Sequence, residues 1–162
     1  MTEASIDDMR LTIGTLEGHA ASVDLMLAQS LHVLLKCTPA AARAIFYTLD
    51  SFPARKTLLT RVVEAVGDEQ DKEMIQKMIA SAERVNNQRR EVAHGLLIMA
   101  DLNEVGVKAH FIKPKSMTKK PVTAAWLQDL QRTTLQSLFD TLNELRLLTK
   151  KHGMPFEIML DT

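Results

Sequence analysis

Cysteine occurs once in the 162 residues, at Cys37. No disulfide can form within the chain, and zinc clusters built on several thiolates are excluded with it. Glycine (6) and proline (5) are scarce, which excludes collagenous and low-complexity architectures. An excess of charge of one sign is also lacking: 20 Lys and Arg balance 20 Asp and Glu. The whole molecule therefore exerts no net pull on nucleic acid or on an acidic membrane, and any such attraction must come from a local patch. Long apolar runs are missing too. The longest nearly apolar window, Gly95 to Ala100, is far too short to cross a bilayer. The first residues, Met1 to Asp8, are acidic and lack a basic leader followed by an apolar run, so a cytoplasmic location is expected. What is present, 46% hydrophobic and 25% charged residues, is the composition of an ordinary globular protein. Read as one domain, a chain of this length buries roughly 70% of its extended surface.

Apolar residues recur mostly at spacings of three and four, the period of a helix. A first helix is predicted from Ser5 to Lys36, through Ile6, Met9, Ile13, Leu16, Ala20, Val23, Leu27, Leu31 and Leu34. Ser5, Asp7 and Asp8 suit its positive end, while Gly14 and Gly18 allow a bend or a division into two pieces. Thr38 and Pro39 open a second helix carrying Ala42, Ile45, Phe46 and Leu49, ended by Asp50 to Pro53. A third runs from Ala54 to Val66 and is closed by Gly67. A fourth runs from Asp68 to about Ala93 on Ile75, Met78, Ile79, Ala82, Val85 and Val92. Between Leu96 and Ile112 the pattern changes to a β-hairpin around Asn103–Gly106, and Lys113 to Pro121 reads as a basic loop. A last helix, Val122 to Lys151, carries Leu127, Leu130, Leu135, Leu138, Leu142, Leu145 and Leu148, with Lys150, Lys151, His152 and Gly153 as its stop. The expected fold is mainly all-α: an up-and-down bundle of about five helices with a small hairpin before the last one.

Chemistry concentrates at Asn86-Asn87-Gln88-Arg89-Arg90-Glu91-Val92-Ala93-His94-Gly95. On a helical projection Arg89 falls about 40° from Val85, inside the apolar stripe, where a buried guanidinium needs a carboxylate, a phosphate or an interface partner. His94 falls about 140° from Arg89 and shares a face with Arg90. For Arg89 and His94 to act on one atom, the helix must distort near its end or two protomers must pool their side chains. Gly95 allows the helix to end at His94.

Arg89, four residues and His94 resemble the signature of the HEPN superfamily, and Arg-Arg-Glu-Val-Ala-His-Gly is similar to the Arg-Asn-x-Ile-Ala-His-Gly segment of small bacterial HEPN-like helical proteins. Ala44-Ile-Phe-Tyr47 and Arg55-Lys-Thr-Leu-Leu59 also look like that group. Arg90 stands where the family usually has Asn, Asp or His, and the hairpin is an addition to a minimal HEPN bundle. The resemblance implies a homodimer whose two motifs face each other across a cleft and cut RNA without metal or cofactor. It also implies a toxin or defence setting with a protein antitoxin or regulator as partner. In that scheme His94 is the general acid/base and Arg89 the phosphate clamp. Arg90 supplies a second phosphate contact and Asn87 a polar neighbour on the side of His94. The alternative is a non-catalytic helical module of the same fold that dimerises and binds a protein or nucleotide partner; there Arg89 pairs with a glutamate inside the bundle and His94 caps carbonyls at the helix end.

Five lysines and no acid lie between Lys108 and Pro121. Lys113, Lys115, Lys119 and Lys120 could hold a phosphate backbone in a salt-sensitive way, with Phe111 the one ring nearby for stacking; the plain reading is a solvated connection. His19, His32, His110 and His152 show no metal-ligand spacing and read as surface or satisfied core histidines. Cys37 reads as a small buried hydrophobe, the methionines as core filler, and the final leucine stripe as core with a partial heptad that could also serve a dimer seam.

Overall fold

The computed structural model describes residues 4–100, 107–112 and 119–156, with only the backbone described for 94–100, 107–112 and 119–121. Five α-helices dominate these residues: α1 Ile6–Leu35, α2 Pro39–Tyr47, α3 Phe52–Val66, α4 Glu69–Gly95 and α5 Ala124–Lys151. Three short strands, β1 Leu96–Ala100, β2 Val107–Ile112 and β3 Lys119–Pro121, stand between α4 and α5.

Local chemistry sets the helix ends. At α1 the Ser5 hydroxyl accepts the Asp8 backbone N–H at 3.0 Å and the Asp8 carboxylate accepts the Ser5 N–H at 3.1 Å, a reciprocal cap that satisfies two otherwise unpaired donors. Thr38 and Ser51 cap α2 and α3 through their hydroxyls, each followed by a proline in the first turn, where a missing N–H costs nothing. Gly67 closes α3 in an extended conformation. A Cβ there would stand 2.7 Å from Val63 Cγ2 and 2.8 Å from the Val63 carbonyl, so close approach rather than backbone freedom calls for glycine. At the end of α5, Gly153 has φ +63°, and bonds from Gly153 N to Lys150 O (3.2 Å) and Met154 N to Thr149 O (3.0 Å) complete a Schellman motif.

Helix α1 matches the predicted first helix, and a difference from the sequence reading concerns the basic stretch. Helix α1 is continuous through Gly14 and Gly18, because about 1 kcal/mol per glycine is small beside the packing of a thirty-residue helix. Strand β3 occupies the last three residues of the stretch read as a loop, and 113–118 lie outside the described residues. Strands β1 and β2 pair antiparallel with Leu96 opposite Phe111 and Ala100 opposite Val107. β2 and β3 pair with His110 opposite Pro121 and Ile112 opposite Lys119. Lysine and proline suit β3, which is an edge of the sheet.

The contacts divide the chain into two compact units. The first comprises Met1–Ala20 and Arg84–Gln136. Its apolar interior holds one cluster of Met9, Val122 and Leu127 and another of Leu16, Val92 and Leu130, with Trp126 packed against both. The second comprises Ala21–Glu83 and Ser137–Thr162, with Leu27, Leu31, Phe46, Leu59, Ile75, Met78, Leu145 and Leu148 buried. Residues expected in the core are exposed instead, among them Ile45 and Leu135. Leu135 follows buried Thr134 on α5, and the hydroxyl of Thr134 is satisfied by its own helix. A small polar residue thus takes the inward position and the leucine faces out. No helix among the described residues is long and apolar enough to cross a membrane.

Candidate functional site

In the first unit, Leu16 on α1 packs with Val92 on α4 and Leu130 on α5. That contact fixes which neighbours meet at its rim. Glu17 follows Leu16, and Arg89 lies one turn before Val92. Arg89 Nε donates to both carboxylate oxygens of Glu17, at 2.8 Å to Oε1 and 2.7 Å to Oε2. Both side chains are 47% exposed. The placement of Arg89 inside the apolar stripe is thus corrected. Val85 and Val92 are buried, but the arginine stem runs past the edge of the stripe and carries its head to water. Its carboxylate partner is real but half-exposed, not inside the bundle.

Asn87 and Arg90 are exposed on the same turns of α4. Helix α4 continues through His94 to Gly95 and passes directly into β1, one residue beyond the expected end. With no break in the helix, position 94 stays about 140° around and about 7.5 Å along the axis from position 89. The His94 side chain lies outside the described residues, as do Lys113 and Lys115. Lys119 and Lys120 sit on β3, in register with Ile112 and Phe111, and their side chains too lie outside the description. Of the candidate residues, the structure exposes Asn87, Arg89 and Arg90 on α4, with Asn87 about 160° around the helix from Arg89 and on the side of position 94, and it adds Glu17 beside Arg89. Nothing in the sequence singled out Glu17, since its partner is 72 positions away and only the packing of Leu16 brings it there.

Two further histidines have partners within their own unit. His19 Nδ1 lies 3.0 Å from the Thr134 hydroxyl, and burial holds its pKa below the usual 6.5. His32 Nδ1 meets the Cys37 carbonyl, which only accepts, so that nitrogen carries the proton. Cys37 itself is half-buried, not sealed in the core as expected, because it stands in the connection between α1 and α2. His32 also lines an apolar cavity of about 260 Å³ with Val33, Pro39, Met154 and Phe156.

A second polar cluster, also unforeseen, lies in the other unit. Asp68 and Asp71 cap α4 reciprocally, at 3.2 and 3.0 Å. Lys151 bonds both carboxylates, reaching Asp71 at 2.7 Å, and His152 Nε2 lies 3.1 Å from Asp71. Burial alone would raise the pKa of Asp71, but bonds from Lys151, His152 and the Asp68 N–H outweigh it and hold the carboxyl below the usual 3.8. Elsewhere in the same unit, in the first turn of α3, Arg55 bonds Asp24 at 2.6 Å and covers the rings of Phe46 and Tyr47 at 5.2 Å each. Burial, with help from Asp24 and against Arg55 and Arg43, raises the Tyr47 phenol. Both arrangements are internally satisfied and join elements of one unit. Among the described residues no group of three or more His, Cys, Asp or Glu could hold a metal ion. No protein-family model, curated protein or solved structure matches the chain.

Proposed function

We propose that the chain is a metal-independent endoribonuclease of HEPN type, acting as a homodimer built on an up-and-down helical bundle, with Arg89 as phosphate clamp and His94 as general acid/base. The observation that carries this reading is the exposed guanidinium of Arg89, held at its Nε edge by Glu17, with exposed Arg90 about 100° around α4 from it and exposed Asn87 on the side of position 94. A planar fork of this kind suits a phosphate that gains charge as it reacts. The ribose 2′-oxygen attacks the adjacent phosphorus while the bond to the 5′-oxygen breaks, leaving a 2′,3′-cyclic phosphate and a 5′-hydroxyl. A histidine with pKa near neutrality removes the 2′-hydroxyl proton or supplies the one needed by the leaving oxygen. Because α4 is unbroken through Gly95, the roughly 140° between positions 89 and 94 favours a site shared by two protomers, the arginine of one beside the histidine of the other. The lysines at 113, 115, 119 and 120 would extend the phosphate contact.

A second reading, a non-catalytic dimerisation or regulatory module with a protein or nucleotide partner, draws support from the same ion pair, since Glu17 balances the charge of Arg89. The two readings separate on incubation of the purified protein with mixed single-stranded RNA in excess chelator. Cleavage leaving cyclic-phosphate ends, reduced by about 10²-fold or more in Arg89→Ala and His94→Ala, is expected. RNA left intact by the wild type favours the module.

A further inference from the structure

We infer that Glu17 is a positioning residue of this site: it occupies the Nε edge of Arg89 and so turns the paired Nη groups toward the phosphate. The inference rests on the ribonuclease reading and deepens it.

The geometry of the pair is one-sided. Both oxygens of Glu17 contact the same nitrogen, Nε, at 2.7 and 2.8 Å, so the carboxylate sits beside the Nε edge. A guanidinium offers five N–H donors in a rigid plane, and fixing one edge fixes the direction of the others. As a stability device the pair is weak, because a half-exposed ion pair gains little over its solvated charges. As an orienting device it is well founded. Leu16, adjacent to Glu17, is buried with Val92, one turn from Arg89, so both stems grow from a packed contact rather than from mobile ground. Electrostatics alone points the other way: a carboxylate beside the clamp repels a polynucleotide. Removing it should therefore leave affinity for RNA unchanged or improved while turnover falls, a combination that simple loss of structure does not produce.

The test joins kinetics to a spectroscopic readout on the full chain. Cleavage of a labelled single-stranded oligoribonucleotide is compared for wild type, Glu17→Ala and Glu17→Gln. In parallel, the ¹⁵N Nε–Hε signal of Arg89 is identified by its disappearance in Arg89→Lys. The inference expects kcat to fall about tenfold or more in Glu17→Ala with KM no higher than about twice the wild-type value. Substantial recovery is expected in Glu17→Gln, whose amide oxygen still accepts from Nε. The Arg89 Nε–Hε signal should be dispersed and slow to exchange in the wild type and merge with the solvated arginines in Glu17→Ala. An Nε–Hε signal that is the same in both proteins, or a Glu17→Ala enzyme with wild-type kcat, overturns the positioning role and leaves the ribonuclease reading standing. A wild type that cleaves no RNA removes both, whatever the Nε–Hε signal shows.

Discussion

Arg89 stands four residues after buried Val85 and three before buried Val92, and the length of its side chain decides where the charge goes. The stem lies along the rim of the stripe and the head meets Glu17 at 47% exposure. Such a pair adds little to folding, so Arg89→Ala should lower the unfolding free energy in urea by no more than about 1 kcal/mol. A larger loss would mean that its effect on activity is structural. A residue of the opposite kind is Lys36, which follows α1 with φ 50°. A left-handed conformation there costs a residue with a Cβ about 1–2 kcal/mol, and glycine is the usual occupant of such a helix end. Lys36→Gly is expected to raise stability by about 1 kcal/mol in the same urea titration; a loss of stability would show that the lysine stem makes contacts worth more than the strain.

Among the elements, the N-terminus of α4 and the C-terminus of α5 carry the densest polar chemistry. Asp68 and Asp71 lie at the positive end of one helix dipole, and Lys151 and His152 at the negative end of another. Asp71→Ala removes a capping carboxylate only 3% exposed and should cost about 2 kcal/mol at neutral pH. Its pH dependence follows from the directions of the shifts. Bonding to Lys151 holds Asp68 below 3.8, and Asp71 also sits below that value. Their contribution is therefore complete above 3.8 and disappears as pH falls through the lower folded-state values. For Lys151, burial lowers the pKa, but bonds to Asp68 and Asp71 raise it above 10.5, so its contribution is complete below 10.5 and disappears as pH rises through the folded-state value. The difference in melting temperature between wild type and Asp71→Ala should be largest between these limits and shrink at both extremes. A difference that grows toward acid would contradict the assignment.

Much at this scale is local and was legible. Thr38-Pro39, Gly67 and Gly153 marked helix ends because a cap or stop acts within one turn. The Asp71–Lys151 contact was not legible, because it joins residues 80 positions apart that only packing brings together. Leu135 misled for a related reason: periodicity counts apolar residues, whereas Thr134 hides its hydroxyl within its own helix and takes the buried position.

For the molecule as a whole, the central claim is that the site is completed by a second copy. Its basis is an unbroken α4 that keeps positions 89 and 94 on different sides of one helix. The most direct test mixes two inactive proteins. Arg89→Ala and His94→Ala are unfolded together, refolded at equal concentration and assayed on single-stranded RNA with excess chelator, beside each variant treated alone. Random pairing makes about half the dimers mixed, and each mixed dimer holds one intact pair out of two, so the account predicts recovery of roughly a quarter of wild-type cleavage. Activity no higher than that of either variant alone, with mixed dimers present and the wild type active, would contradict it.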